Sequence, residues 1–125
     1  MFFFSFLGLL LFAETKCNMI QIQIPSPCSP VIGGSVYIQL MTNASTFSVS
    51  CKKLLSSGAI KVFSMSNEKV NIANAFRYRT EFLIDIGTLK ITNVERNDSG
   101  QYSVDVYDHD GLHKKKMEFS LEVKG

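Results

Sequence analysis

The sequence contains no tryptophan, only three cysteines and no marked excess of charge of either sign among its 125 residues. The formal net charge is +2, so the chain lacks the dominant basic face of a nucleic-acid-binding protein. It also lacks a C-x-x-C metal pair, a G-x-S-x-G nucleophile turn and a glycine-rich phosphate loop. These absences predict a protein that is not an enzyme and needs no cofactor, nucleic acid or small-molecule substrate. The length suits one domain of ordinary size, not two.

Only one long apolar run occurs, from Met1 to Ala13, and polar residues follow it directly. It is too short to cross a bilayer, which takes about 20 apolar residues, but it has the length and position of a secretory signal peptide. The alternative is a buried apolar strand or helix. We predict a signal peptide over residues 1–16, with an approximate cleavage site, and one folded domain over residues 17–125. Since no second run follows, no transmembrane helix is predicted.

A secretory route permits disulfide formation. The three cysteines are Cys17, Cys28 and Cys51, and an odd number leaves either a free thiol or an intermolecular partner. Cys17 lies close to the predicted cleavage site. We expect no bridge between Cys28 and Cys51, because they fall in different segments that have no reason to meet.

Apolar and polar residues alternate with period two along most of the chain, whereas no helical stripe of useful length occurs. The predicted strands lie within residues 20–24, 36–40, 47–51, 59–65, 76–84, 89–91, 102–106 and 117–123. Asp110-Gly111 separates the last two, and Asp-Gly is a strong hairpin signal because both turn positions tolerate positive φ. Short strands of this kind predict an all-β antiparallel sandwich or barrel, with one buried face per strand.

The segment Asp98-Ser99-Gly100-Gln101-Tyr102 matches the D-x-G-x-Y signature of immunoglobulin domains. A Tyr at the start of a strand can bury its ring and direct its hydroxyl back to the backbone of the preceding turn. Upstream, residues 87–91 resemble strand E of V-type domains, in which an Arg before strand D pairs with the signature Asp. The resemblance implies that Asp98 pairs with Arg79, with Arg77 as the alternative.

The chain departs from the antibody pattern at its disulfide, since Val104 and Leu40 stand where the two cysteines are expected. The resemblance therefore implies an immunoglobulin-like V-type β-sandwich that lacks the inter-sheet disulfide, with Leu40 facing Val104 in the core. Strand C normally offers a Trp, and here Cys51 falls near that position. A V domain without this disulfide resembles the membrane-distal domains of the signalling lymphocyte activation molecule family, which includes the T-cell erythrocyte-rosette receptor and its ligands. Tyr107-Asp108 before a hairpin and Phe119-x-Leu121 after it carry this resemblance.

The resemblance covers residues 20–124 and implies an adhesion or co-receptor ectodomain of the immune-cell surface. Its expected partner is an immunoglobulin-superfamily protein on an opposing cell, either a different molecule or a second copy. Two alternatives stay open, a soluble secreted binding protein or decoy and a homophilic adhesion molecule of non-immune tissue. We expect the protein at the cell surface, or secreted if the chain ends at Gly125.

We expect binding through the outer face of the sheet that contains strands C, F and G. Alternation directs eight residues outward there: Ser48, Ser50, Lys52, Ser103, Asp105, Tyr107, Lys116 and Glu118. Both charge signs around one exposed aromatic suit weak, fast recognition with Tyr107 as the central anchor. The triplet Lys114-Lys115-Lys116 is either a solvated strand end or part of this charged patch, with heparin or membrane contact as a further alternative.

Two further sets of residues are candidates for glycosylation and for metal binding. The sequons Asn43-Ala44-Ser45 and Asn97-Asp98-Ser99 predict glycan on Asn43, in an accessible loop, and less on Asn97, which overlaps the signature turn. Near the F–G turn stand two Asp and two His: Asp108, His109, Asp110 and His113. Side chains so close together on a hairpin tip cannot easily converge on one ion, so we expect a solvated turn rather than a metal site.

Overall fold

The computed structural model of the protein describes residues 13–20 and 27–125. Nine strands lie in these ranges: β1 (Glu14–Asn18), β2 (Ser35–Gln39), β3 (Ser48–Leu55), β4 (Gly58–Ser66), β5 (Lys69–Ile72), β6 (Thr80–Leu83), β7 (Thr88–Ile91), β8 (Gly100–Tyr107) and β9 (His113–Leu121). Single-turn 3-10 helices occupy Asn74–Phe76, Ile84–Ile86 and Arg96–Asp98. Within the described ranges, no helix has the length and apolar character needed to cross a bilayer.

The strands form two sheets whose inner faces share one core. The four-stranded sheet has the order β1-β2-β7-β6, and the five-stranded sheet has the order β5-β4-β3-β8-β9. Neighbouring strands are antiparallel except β1 and β2, which run parallel. The architecture confirms the all-β sandwich that the period-two alternation predicts.

Inward-facing residues of both sheets form a single hydrophobic core. Phe63 of β4 and Phe82 of β6 stack between the sheets with ring centroids 4.6 Å apart. Leu40 and Val104 are both fully buried in this core. Full burial of an aliphatic side chain contributes about 1.5–3 kcal/mol, whereas losing a native disulfide costs a small secreted domain about 2–5 kcal/mol. Apolar packing at these two positions therefore offsets much of what an inter-sheet disulfide would supply.

Besides β1, which lies outside every predicted strand, three segments differ from the predicted strand pattern. β5 lies in the polar stretch 66–74, where no strand was expected, and is held by backbone pairing with β4. The segment 76–84 contains only the short strand β6, because 3-10 turns occupy the residues on either side. Residues 21–24 of the first predicted strand lie outside the described residues, and Ile20 belongs to no strand.

Among the described residues, the one disulfide joins Cys17 of β1 to Cys28. The free thiol is therefore that of Cys51, which is fully buried on β3. Burial raises the pKa of Cys51 to about 12, so the thiol stays protonated and inert at neutral pH. Residues 14–16, which the sequence assigns to the end of the signal peptide, pair with residues 35–37 of β2. The cleavage site itself stays a prediction.

Candidate binding face

The turn before β8 is built around Asp98, which is almost fully buried. Arg79 donates two hydrogen bonds to its carboxylate, with N–O distances of 2.8 and 2.7 Å, whereas Arg77 is exposed. The Tyr102 hydroxyl donates to the Asp98 carbonyl oxygen at 2.6 Å. The hydrogen bonds to Asp98 raise the pKa of Arg79, and burial raises the pKa of Tyr102. Because Arg79 precedes β6 and Asp98 precedes β8, this cluster ties the two sheets together.

The strand register brings all eight residues of the predicted binding face together. β8 lies between β3 and β9, so outward side chains of the three strands fall into rows across the sheet. The rows are Ser50–Asp105–Lys116, Lys52–Ser103–Glu118 and Ser48–Tyr107–His113. Lys52, Lys116 and Glu118 are exposed, whereas Ser48, Ser50, Asp105 and Tyr107 are partly buried.

Ser103 does not have the exposure that the alternation pattern predicts. Its register places it outward, yet it retains only 1% of its accessible surface. A serine on a central strand is short, and its cross-strand neighbours Lys52 and Glu118 have long stems that can cover it. Its hydroxyl also has no hydrogen-bond partner among the described residues. Ser103 is therefore a small spacer beneath its neighbours and not an exposed contact residue.

His113 belongs to the face, although sequence reasoning placed it only in the hairpin turn. Its Nε2 lies 2.9 Å from Oδ1 of Asp105, and its ring packs edge-on against Tyr107 with centroids 5.2 Å apart. A register shift after Val106 makes His113 the partner of Tyr107. Strict alternation along β9 would direct Lys114 outward in place of His113, so the position of His113 could not be predicted without knowledge of this bulge. Tyr107 and Asp105 are thus both held from the side by one imidazole.

The residues of the predicted face lie on β3, β8 and β9, and the same sheet continues through β4 to β5. We define the five-stranded face by the outward polar and aromatic residues of β5, β4, β3, β8 and β9: Lys69, Asn71, Lys61, Ser64, Ser66, Ser48, Ser50, Lys52, Gln101, Ser103, Asp105, Tyr107, His113, Lys116, Glu118 and Ser120. Four of these are lysines and two are carboxylates, a formal excess of two positive charges with His113 neutral. Among the described residues, none of the four lysines forms an ion pair within 4.0 Å.

Comparison with known proteins gives a structural answer and no sequence match. No known protein family profile matches the chain, and no curated protein matches it by sequence. The fold matches the CD2-binding domain of CD58, lymphocyte function-associated antigen 3, with a TM-score of 0.59 at 20% identity over 86% of this chain and 53% of that chain. It thus spans about half of the CD58 chain.

Two further solved structures match over most of both chains. The crystal structure of CD84, which bears on SLAM family function, matches with a TM-score of 0.64 at 14% sequence identity, over 80% of this chain and 97% of the CD84 chain. The first Ig-like domain of the human CD48 antigen matches with a TM-score of 0.61 at 16% sequence identity, over 80% of each chain. This chain has the immunoglobulin-like fold. Within that fold, it resembles the domains of CD58, CD84 and the human CD48 antigen.

The outer surface of the other sheet of this immunoglobulin-like domain differs in its electrostatics. We call it the four-stranded face, and its charged members are Glu14, Lys16, Glu81 and Lys90. Lys90 Nζ lies 4.0 Å from Glu81 and 5.3 Å from the ring centroid of Tyr37. The Tyr37 hydroxyl in turn donates to Glu14 at 3.3 Å. The charges on this face are balanced in number, and Lys90 and Glu81 form an ion pair within it.

The F–G turn of the domain is ordered by backbone contacts. Oδ1 of Asp108 accepts hydrogen bonds from the backbone N–H groups of Asp110 and Leu112, both at 3.0 Å. The bond from Leu112 contributes most to lowering the pKa of Asp108. His113 turns away toward Asp105, and in the described part of the chain no three metal-ligating side chains converge.

The two sequons differ in their surroundings. Asn43 is exposed, and its Oδ1 accepts a hydrogen bond from the backbone N–H of Ser45 at 2.9 Å. Asn97 is also exposed, but it lies in the 3-10 turn that carries the buried Asp98. The hydroxyl of its sequon partner, Ser99, accepts a hydrogen bond from the Val123 N–H at 3.0 Å. Preferential glycosylation of Asn43 stays a prediction.

Proposed function

We propose that this chain is a V-type ectodomain of an immune-cell adhesion receptor or co-receptor, and that its five-stranded face binds another immunoglobulin-like domain in trans. The observation that carries the proposal is the charge on that face. Its four lysines form no ion pair among the described residues, whereas on the opposite face acidic and basic residues are equal in number and Lys90 pairs with Glu81. Charged groups that are unpaired within the fold are available to a partner and steer its approach.

The strand arrangement supports the V-type assignment. Variable-type domains differ from constant-type ones by additional strands that extend the sheet formed by strands C, F and G. Here β4 and β5 continue that sheet beyond β3, so the sheet has five strands. The additional strands contribute Lys61 and Lys69, half of the lysines on the face.

The fold neighbours support an adhesive role at the cell surface. One is the CD2-binding domain of CD58, and the others are the CD84 and CD48 domains. An adhesion contact of this kind works through many weak bonds between two cells. The lysines of the face would accelerate association, and Tyr107, packed against His113, would supply a partly preorganised aromatic anchor.

The domain is produced through a secretory pathway and displayed in many copies on beads. The test measures binding of these beads to immune cells and to recombinant immunoglobulin-like ectodomains. Tyr107→Ala and Lys116→Glu should each reduce binding about tenfold or more, which corresponds to about 1.4 kcal/mol. The matched control is Lys90→Glu, the same charge reversal on the four-stranded face, and it should leave binding within about twofold. Loss of binding in the control alone would show that the docking face is misassigned.

A further inference from the structure

We infer that the partner presents an acidic docking surface, so that binding is heterophilic: a different immunoglobulin-like domain with an excess of carboxylates, and not a second copy of this chain. The inference rests on the proposed function, because it concerns the same face. It specifies the sign of the partner's charge and excludes self-recognition through this face.

Two of the four lysines lie at the junction of β3 and β4. Lys52 and Lys61 are direct cross-strand partners there, next to a register shift after Cys51. Like charges directly opposite each other on a sheet are unfavourable, and no described carboxylate relieves this pair. A carboxylate from outside that approached both ammonium groups would remove this repulsion and gain two charge-assisted hydrogen bonds.

Two more lysines carry the positive charge to both edges of the sheet. Lys69 lies on the edge strand β5 and Lys116 on the edge strand β9. Five strands spaced about 4.8 Å apart separate these edges by about 19 Å, more than twice the Debye length of about 8 Å at physiological ionic strength. The exposed Glu68 stands in the turn next to Lys69, at one end of the face. A partner therefore needs carboxylates at several places across its surface, and a single acidic residue would not suffice.

A second copy of this chain meets that need poorly. Each face has two carboxylates for four lysines, so two paired faces bring together twice as many lysines as carboxylates. Asp105 is already engaged, since its Oδ1 lies 2.9 Å from Nε2 of His113. Glu118 is the remaining acceptor, and it faces Gln101 at 3.4 Å. Juxtaposed like charges at an interface oppose association strongly, so self-pairing is disfavoured.

A sulfated glycan also offers many negative charges. The face nevertheless carries Asp105 and Glu118 among its lysines, together with the ring of Tyr107. Interspersed carboxylates would repel a polyanion, whereas a protein surface can place a Lys or Arg opposite each of them. The observations therefore favour a protein, and heparin binding becomes an outcome of the test.

The experiment combines a self-association measurement with a binding panel. Sedimentation of the wild-type domain should show a monomer at concentrations at which the bead assay detects partners. The probes are recombinant immunoglobulin-like ectodomains, grouped by whether the outer surface of their strands C, F and G is acidic, neutral or basic. Binders should belong to the acidic group, and Lys52→Glu and Lys61→Glu should each weaken them about tenfold or more, with Lys90→Glu as control. Binding should also weaken between about 50 and 300 mM NaCl.

The contrary outcomes are distinct. Dimerisation of the wild-type domain that Lys61→Glu alters, an acidic group without binders, or binders drawn from the basic group would overturn the acidic-partner inference while leaving the adhesive face in place. Retained binding to heparin, with none to the acidic domains, would assign the lysines to a glycan instead. If Lys90→Glu abolishes binding and the two five-stranded-face variants do not, the proposed function itself fails.

Discussion

The two outer faces of this sandwich use charge in different ways. On the four-stranded face two acidic and two basic side chains balance in number, and Lys90 contacts both Glu81 and the Tyr37 ring. On the five-stranded face four lysines outnumber two carboxylates, and Lys52 opposes Lys61 directly. Both faces need polar residues to stay solvated. Only the five-stranded face has an excess of one sign of charge. Its directly opposed lysines, Lys52 and Lys61, oppose folding.

The net charge of a whole chain can thus conceal an uneven distribution of charge between its two faces. A net charge of +2 over 125 residues looks nearly neutral. The five-stranded face has the same formal excess by itself, while the four-stranded face has none. Surface ion pairs contribute little to stability, so we base the proposal on the excess of lysines on the five-stranded face and not on the ion pair of the other face.

The two sheets are joined by the ion pair between Arg79 and Asp98, and loss of this pair should have the largest effect. Asp98→Ala should destabilise the fold by about 3–5 kcal/mol, because it leaves Arg79 without its carboxylate in a partly buried site. Chemical denaturation of both proteins measures the loss. Arg77→Ala is the control, since Arg77 is exposed and should change stability by about 0.5 kcal/mol or less. A similar stability for wild type and Asp98→Ala would mean that the ion pair contributes nothing to the junction.

The core between the two faces gives a second, smaller effect. Unfolded Cys51 loses its proton near pH 9, whereas burial keeps the folded thiol protonated to about pH 12. Stability linked to this group is therefore complete below pH 9 and declines as pH rises toward 12. Between pH 8 and 10.5, wild type should lose about 2 kcal/mol more than Cys51→Ala. Denaturant titrations at the two pH values measure the difference, and equal losses would show that the thiol is solvated in the folded state.

Charge reversal on each face should affect stability in opposite directions. Lys61→Glu replaces a like-charged cross-strand pair with an attractive one, so the fold should gain about 0.2–1 kcal/mol while binding weakens. Glu81→Lys places a second lysine opposite Lys90, so the fold should lose a similar amount while binding is unchanged. Thermal melting and the bead assay measure the two quantities. Destabilisation by Lys61→Glu, or loss of binding in Glu81→Lys, would remove the contrast between the faces.

The smallest expected effect concerns glycan outside both faces. After secretion from mammalian cells, Asn43 should be occupied more fully than Asn97, because Ser99 and Asp98 of the second sequon are engaged in the turn. Glycopeptide mass spectrometry measures both occupancies. Asn43→Gln should leave partner binding unchanged, as Asn43 lies in the loop before β3. Equal occupancy would show that the folded turn does not limit modification, and altered binding would extend the contact surface to this loop.

Most of the fold follows from local pattern. Alternation marks the strands whose inward residues are apolar, and the D-x-G-x-Y segment marks the turn at which Tyr102 and Asp98 meet. β5 was not predicted because its stability comes from pairing with β4 and not from its own polar sequence. The Cys17–Cys28 disulfide was not predicted because three cysteines allow several pairings and spacing does not choose among them.

Between the bulges, the amino-acid pattern alone specifies which side chains point in and which point out, because side chains of a regular strand alternate between its two faces. It could not determine what stands beside each outward residue, since that depends on how strands distant in the chain align. The register placed Lys61 opposite Lys52, and a bulge placed His113 against Tyr107 and Asp105. Neighbours of unequal length left Ser103 covered on an outward-facing position. The direction of a side chain is a property of a regular strand, whereas bulges, accessibility and charge environment depend on the assembled sheet.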